Sequence, residues 1–203
     1  MKMPDISDQI VEVASADSVD VAQLEQLFDE ASHAERVEAT RQFGRSTQKR
    51  IYEEIEGRAV DLDQLVPPDV PPMTEVIHEG HNTLPAFRSF QKRFCRPDDN
   101  DSELEELWGY NEQTFQLVTG PGYFVAYEDE EAGEVCIDYR RVPPRAPDNW
   151  PEIEENEIRL GRFVYAGTVD RLRRVSEHVT IGRAFIDDDD PMNAWFVLVR
   201  RDA

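Results

Sequence analysis

Two arginines lie on strand faces that are otherwise apolar. Arg162 alternates with Ile158, Leu160 and Val164, and Arg183 alternates with Val179, Ile181 and Phe185. A guanidinium taken out of water needs a partner, because a buried unpaired charge costs several kcal/mol. An internal acid can supply that partner. So can a ligand carboxylate or phosphate, which a guanidinium grips through two parallel hydrogen bonds. Tyr139 and Tyr165 bring hydroxyl donors to the same part of the chain, and Leu107-Trp108-Gly109-Tyr110-Asn111 brings aromatics with polar edges, as pocket walls use. The competing arrangement puts these faces outside, with the arginine stems over apolar surface and their heads in water. Arg162, Arg183, Tyr139, Tyr165, Tyr110 and His178 are the candidate ligand-binding residues.

His78-Glu79-Gly80-His81 has the residue types of a metal site but not the spacing. A zincin helix places its two histidines four positions apart on one face, and Gly80 argues against that helix. In an extended segment His78 and His81 point to opposite faces. No metal is expected there, and none at Asp187–Asp190 or Asp98–Asp101, which lack the ligand alternation of a calcium loop. Ser176-Glu177-His178 is adjacent in sequence, whereas relay residues converge from distant positions. Cys95 stands between Arg93 and Arg96, an environment that favours a thiolate. Thr119-Gly120-Pro121-Gly122 is a turn rather than a phosphate cradle, since its proline removes an amide donor. No cofactor is expected.

The composition sets outer bounds. The 203 residues carry 43 acids against 22 Lys and Arg, for a formal charge of -21 and a pI near 4.5. Only Lys2, Lys49 and Lys92 are lysines. Such a surface repels phosphate backbones and anionic headgroups, so no nucleic-acid or membrane partner is expected. The acid-rich, lysine-poor balance is halophilic-like. No apolar run reaches the ~20 residues of a membrane span, and the N-terminal residues have no signal-peptide pattern. A cytoplasmic protein with reduced Cys95 and Cys136 is the expectation, with oligomeric state left open.

The elements that must position the candidates read as α+β. Residues 1–16 look loose. Residues 17–65 form a helical pair: one helix starts near Val19 with Asp17 or Ser18 as cap, and a second runs from about His33 to Glu56 and stops at Gly57. A proline-rich connector, Val66–Pro72, leads to a β domain over 73–203. There Val135, Ile137 and Tyr139 alternate with polar residues, and acidic turns separate the runs. Residues 84–94 are ambiguous between helix and strand. Residues 167–177 read as a short helix with Val169, Leu172 and Val175 inward. The expected architecture is a helical pair followed by an antiparallel β-meander, a closed or half-closed small barrel.

Three functions fit that frame. One is a binding barrel holding a small amphiphilic organic anion, its head on Arg162 or Arg183 and its tail against Tyr123, Val125, Ile137 and Phe163. Another is a small-barrel enzyme with His178 or the His78/His81 pair as general base. The third is an interaction domain that meets a basic partner with its acidic helical front.

Overall fold

Among the described residues, eight antiparallel strands follow one another along the chain, and the last pairs with the first. The computed structural model describes residues 5–85, 88–98, 105–112, 121–153, 167–187 and 190–202. The strands are β1 (Val76–Asn82), β2 (Ser89–Cys95), β3 (Leu107–Glu112), β4 (Tyr123–Asp129), β5 (Glu134–Asp138), β6 (Thr168–Arg174), β7 (Val179–Ile186) and β8 (Asp190–Arg200). Each pairs with its neighbour in sequence, and β8 also pairs with β1, which closes the barrel and leaves no free edge. Five helices come first: α1 (Ile6–Ser15), α2 (Val21–Glu30), α3 (His33–Arg41), α4 (Arg45–Glu54) and the single turn α5 (Leu62–Leu65). The expected α+β order, helices and then a closing meander, is the observed one.

An eight-stranded barrel has an interior just wide enough for side chains to fill, or for one small ligand. Residues paired across an antiparallel ladder share a face. Registers such as Lys92 with Asn111, Ile137 with Asp170, and Asp170 with Ala184 therefore assign the inward set. Three inward glycines make room for three rings on neighbouring strands. Gly80 pairs with Phe90, Gly109 with Phe124, and Gly182 with Phe196. A Cβ on these glycines would stand 2.5, 2.3 and 2.3 Å from the facing ring, so each ring lies against bare backbone.

Leu62, Leu65 and Val66 of the α5 turn fill one end of the barrel, together with Leu107, Val135 and Leu172. The plug is tied by its backbone as well. Arg200 Nη1 donates to Gln64 O at 2.6 Å, Arg96 Nη2 to Val66 O at 2.7 Å and His78 Nε2 to Leu65 O at 2.9 Å, while Leu62 N donates to Glu128 at 2.8 Å. Outside, α1 to α4 cover the faces of β7 and β8, where Val179, Ile181, Trp195, Val197 and Val199 join Ile10, Leu24, Phe28 and Ile51 in one core. A second outer patch, Trp108, Tyr110, Tyr123 and Val125, packs against Trp150 from the proline-rich loop after β5.

Several local expectations need correction. Residues 6–15, expected to be loose, form α1, because Ile10 and Ala14 bury completely against the other helices. The helix expected near Val19 begins at Val21, with Asp20 rather than Asp17 or Ser18 accepting the cap bond from Gln23 N. The single helix expected over 33–56 is two, α3 and α4, broken at Gly44; a capping box between Ser32 and Glu35 starts the first. Residues 167–177 are mostly strand β6 rather than a helix. In the ambiguous 84–94 segment, residues from Ser89 onward belong to β2, in keeping with a period-two pattern. The expected strand that carries Arg162, residues 158–165, lies outside the described residues.

Candidate functional site

Above the three rings the barrel holds a cavity of about 280 Å³. It lies at the end opposite α5, among the last residues of β1, the first of β2 and β6, and the β7–β8 end. Phe90, Phe196, Ala184, Ala194, Met192 and Leu84 give it an apolar lining. Its polar lining comes from Lys92, Asn111, Tyr139 and Asp170, with Asn82 and Thr168 towards the rim.

Lys92 is the centre of the polar group. Its side chain is 2% exposed. Nζ donates to Asn111 Oδ1 at 3.1 Å, to Asp170 Oδ2 at 3.1 Å and to the Tyr139 hydroxyl oxygen. Tyr139 in turn donates to Asp170 Oδ2 at 3.3 Å and accepts from Asn111 Nδ2 at 2.9 Å. All three ammonium hydrogens are thus matched, as a buried charge requires. Four rings surround the same nitrogen: Tyr139, Phe196, Phe124 and Phe90, at 4.9, 5.1, 5.2 and 5.7 Å. Three of these are the rings laid over glycines, so the glycine–phenylalanine register builds the aromatic wall around the amine. Burial pushes the Lys92 pKa down against the attraction of Asp170, and pushes the Asp170 pKa up against the attraction of Lys92. Both shifts run towards the neutral forms, and the two groups stand 3.1 Å apart.

Below the cavity, His78 faces inward on the same ladder, paired in register with Lys92. Its ring stacks edge-on against Phe94 at 4.9 Å. Because Nε2 donates to Leu65 O, the neutral Nε2–H tautomer is the one held, and Nδ1 has no hydrogen-bond partner among the described residues. Burial pushes its pKa down to about 3.

The residues singled out by sequence divide by side of the wall. Tyr139 is in the cavity. Arg183 is on the outer face of β7, its guanidinium 4.9 Å from the Trp195 ring centre and its Nε donating to Met192 O at 3.0 Å. Tyr110 is on the outer face of β3, against Trp150 at 4.9 Å, and donates to Glu112 at 3.1 Å. His178 lies near the plugged end, with Nδ1 3.6 Å from Asp202. Arg162, Tyr165 and Phe163 lie outside the described residues. Of the apolar residues expected to hold the tail, Ile137 faces inward while Tyr123 and Val125 belong to the outer patch under Trp150. His81, on the opposite face of β1 from His78, sits under α4, where Gln48 Nε2 donates to its carbonyl at 3.3 Å.

Cys95 also differs from its sequence reading. Arg93 bonds to Glu75 at 2.9 Å and Arg96 pairs with Asp63, so neither guanidinium serves the thiol. Burial instead pushes the Cys95 pKa up to about 12, and that of Cys136 up to about 11. Both are buried free thiols.

No family model matches the chain, and no curated protein or solved structure does.

Proposed function

We propose that the barrel binds one small, largely apolar organic molecule, whose single uncharged polar group docks on Lys92, Asp170, Tyr139 and Asn111. The observation that carries this reading is the cavity: mostly apolar walls with four polar side chains converging at its floor. At about 280 Å³ it is at the small end for organic ligands, which points to a compact molecule rather than a long-chain lipid.

The charge of the head group follows from the pair. Lys92 is the only cation in the described lining, and Asp170 already neutralises it. An anionic head would meet Asp170 as well as Lys92, inside a chain of formal charge -21. A carbonyl or hydroxyl avoids that repulsion and still accepts from the cluster. A binding barrel therefore remains the preferred reading, with a neutral head in place of the anion. A histidine-based enzyme finds less support, since no imidazole is among the described lining residues. An interaction surface finds little, since Leu84 and Ile186 are the exposed large apolar side chains among the described residues.

Fluorescence titration separates neutral from anionic ligands on one ring system. N-phenyl-1-naphthylamine should brighten and saturate, whereas 1-anilinonaphthalene-8-sulfonate, which adds a sulfonate to it, should bind at least about tenfold more weakly, a difference of ~1.4 kcal/mol. Tighter binding of the sulfonate would restore the anion. No response to the neutral probe would remove the binding site.

A further inference from the structure

We propose that Lys92 Nζ holds its ligand covalently, as an imine formed with the carbonyl carbon of an aldehyde in the barrel cavity. This rests on the reading of the cavity as a binding site and names the substrate class.

The choice of residue is the first reason. This chain has three lysines among its 22 basic residues. Among the described residues, the other ion pairs whose cation lies on a barrel strand use arginine, as in Arg93 with Glu75 and Arg173 with Glu134. Arginine is also the better partner for a static buried pair, because its fork is rigid and it keeps its proton. The one cation among the described lining residues is instead the side chain that can give its proton up and act as a nucleophile.

The second reason is the set of groups around the nitrogen. Imine formation needs an amine lone pair, a group to carry protons, and little water to reverse it. Asp170 Oδ2 stands 3.1 Å from Nζ, and the Tyr139 hydroxyl touches both. Four aromatic rings within 5.7 Å keep the nitrogen dry.

The steps balance within the cluster. Lys92 passes a proton to Asp170 and its lone pair adds to the carbonyl carbon. The carbonyl oxygen takes that proton and becomes a hydroxyl. A proton from nitrogen returns to Asp170 and goes on to the hydroxyl, which leaves as water as the C=N bond forms. The C–N bond forms and the C–O bond breaks. Two of the ammonium hydrogens leave with the oxygen, and the third stays on an iminium nitrogen. The charge is unchanged, Asp170 ends as the carboxylate beside it, and no oxidant or reductant is consumed.

The test is reductive trapping of the full chain with 3-phenylpropanal and sodium cyanoborohydride at neutral pH, read by peptide mapping. The exposed Lys49 is an internal control, its side chain 52% accessible. Label on Lys92 should exceed label on Lys49 by at least about tenfold, because the buried amine surrenders its proton more readily. N-phenyl-1-naphthylamine should protect Lys92 and leave Lys49 unchanged, and Lys92→Arg should carry no label in the cavity. The protection experiment uses the native chain, so it stands even where Lys92→Arg fails to fold. Label on Lys49 without Lys92 overturns the imine. If the naphthylamine still binds in that sample, the imine fails and the binding site stands; if it does not, both fail.

Discussion

Asp170→Asn is expected to cost about 3–5 kcal/mol of folding stability, among the largest losses of any single substitution in this barrel. The variant keeps the shape of the side chain and removes the charge that offsets a fully buried ammonium. Lys92 would retain Asn111 and Tyr139 but lose its counter-ion. The double variant Lys92→Met/Asp170→Asn should lose clearly less than Asp170→Asn alone, because removing both charges also removes the desolvation penalty. Urea denaturation of wild type, the single variants Lys92→Met and Asp170→Asn, and the double variant gives the coupling directly. Additive losses would mean that the pair does not interact in solution. The pH dependence has a defined sign. With Asp170 gone, burial lowers the folded pKa of Lys92 without the carboxylate to raise it, while the unfolded value stays near 10.5. The unfolded chain then binds the extra proton, so stability relative to wild type rises with pH and approaches its plateau near 10.5.

The second large effect belongs to His78. Its folded pKa is about 3 against 6.5 for a free imidazole. Above pH 6.5 both states are neutral and the histidine contributes no pH dependence. As pH falls from 6.5 towards 3 the unfolded chain takes up a proton that the folded chain refuses, and stability drops by up to ~1.4 kcal/mol per pH unit. His78→Gln keeps a donor for Leu65 O and removes the titration. The variant should therefore lose several kcal/mol less than wild type between pH 7 and pH 4. Comparing the two proteins cancels the protonation of the many surface carboxylates. Equal slopes in the two proteins would show that the imidazole is not held neutral beneath the cavity.

The barrel was legible where one strand face repeats simply. Val135, Ile137 and Tyr139 alternate with polar neighbours, and all three point inward. It was illegible where both faces are buried. In β6, Val169 packs outside and Leu172 inside, so their spacing mimics a helix. The same ambiguity affected the site. Val179, Ile181, Arg183 and Phe185 do share an apolar face, but helices cover the outside of β7, so an apolar face here need not be the interior. Tyr110 is similar, since Trp150 covers the outside of β3. The residue that sequence reading passed over is Lys92. Its signal was present: a rare lysine between Phe90 and Phe94, each two positions away on one strand face. It could not be used while 84–94 stood undecided between helix and strand. Asp170 was hidden in the same way by the helical reading of its segment. Their pairing joins β2 to β6 across the barrel interior, a contact that local patterning does not encode.

Native mass spectrometry with N-phenyl-1-naphthylamine tests the central claim most directly, using the wild-type chain beside Ala184→Phe. Ala184 lines the cavity and pairs in register with Asp170, so a phenyl ring there occupies the space a ligand would take. A one-to-one complex in the wild type that disappears in a folded Ala184→Phe variant is the predicted result. A bare wild-type mass, or a complex that Ala184→Phe retains in full, would place binding outside the cavity or nowhere, and would contradict the account.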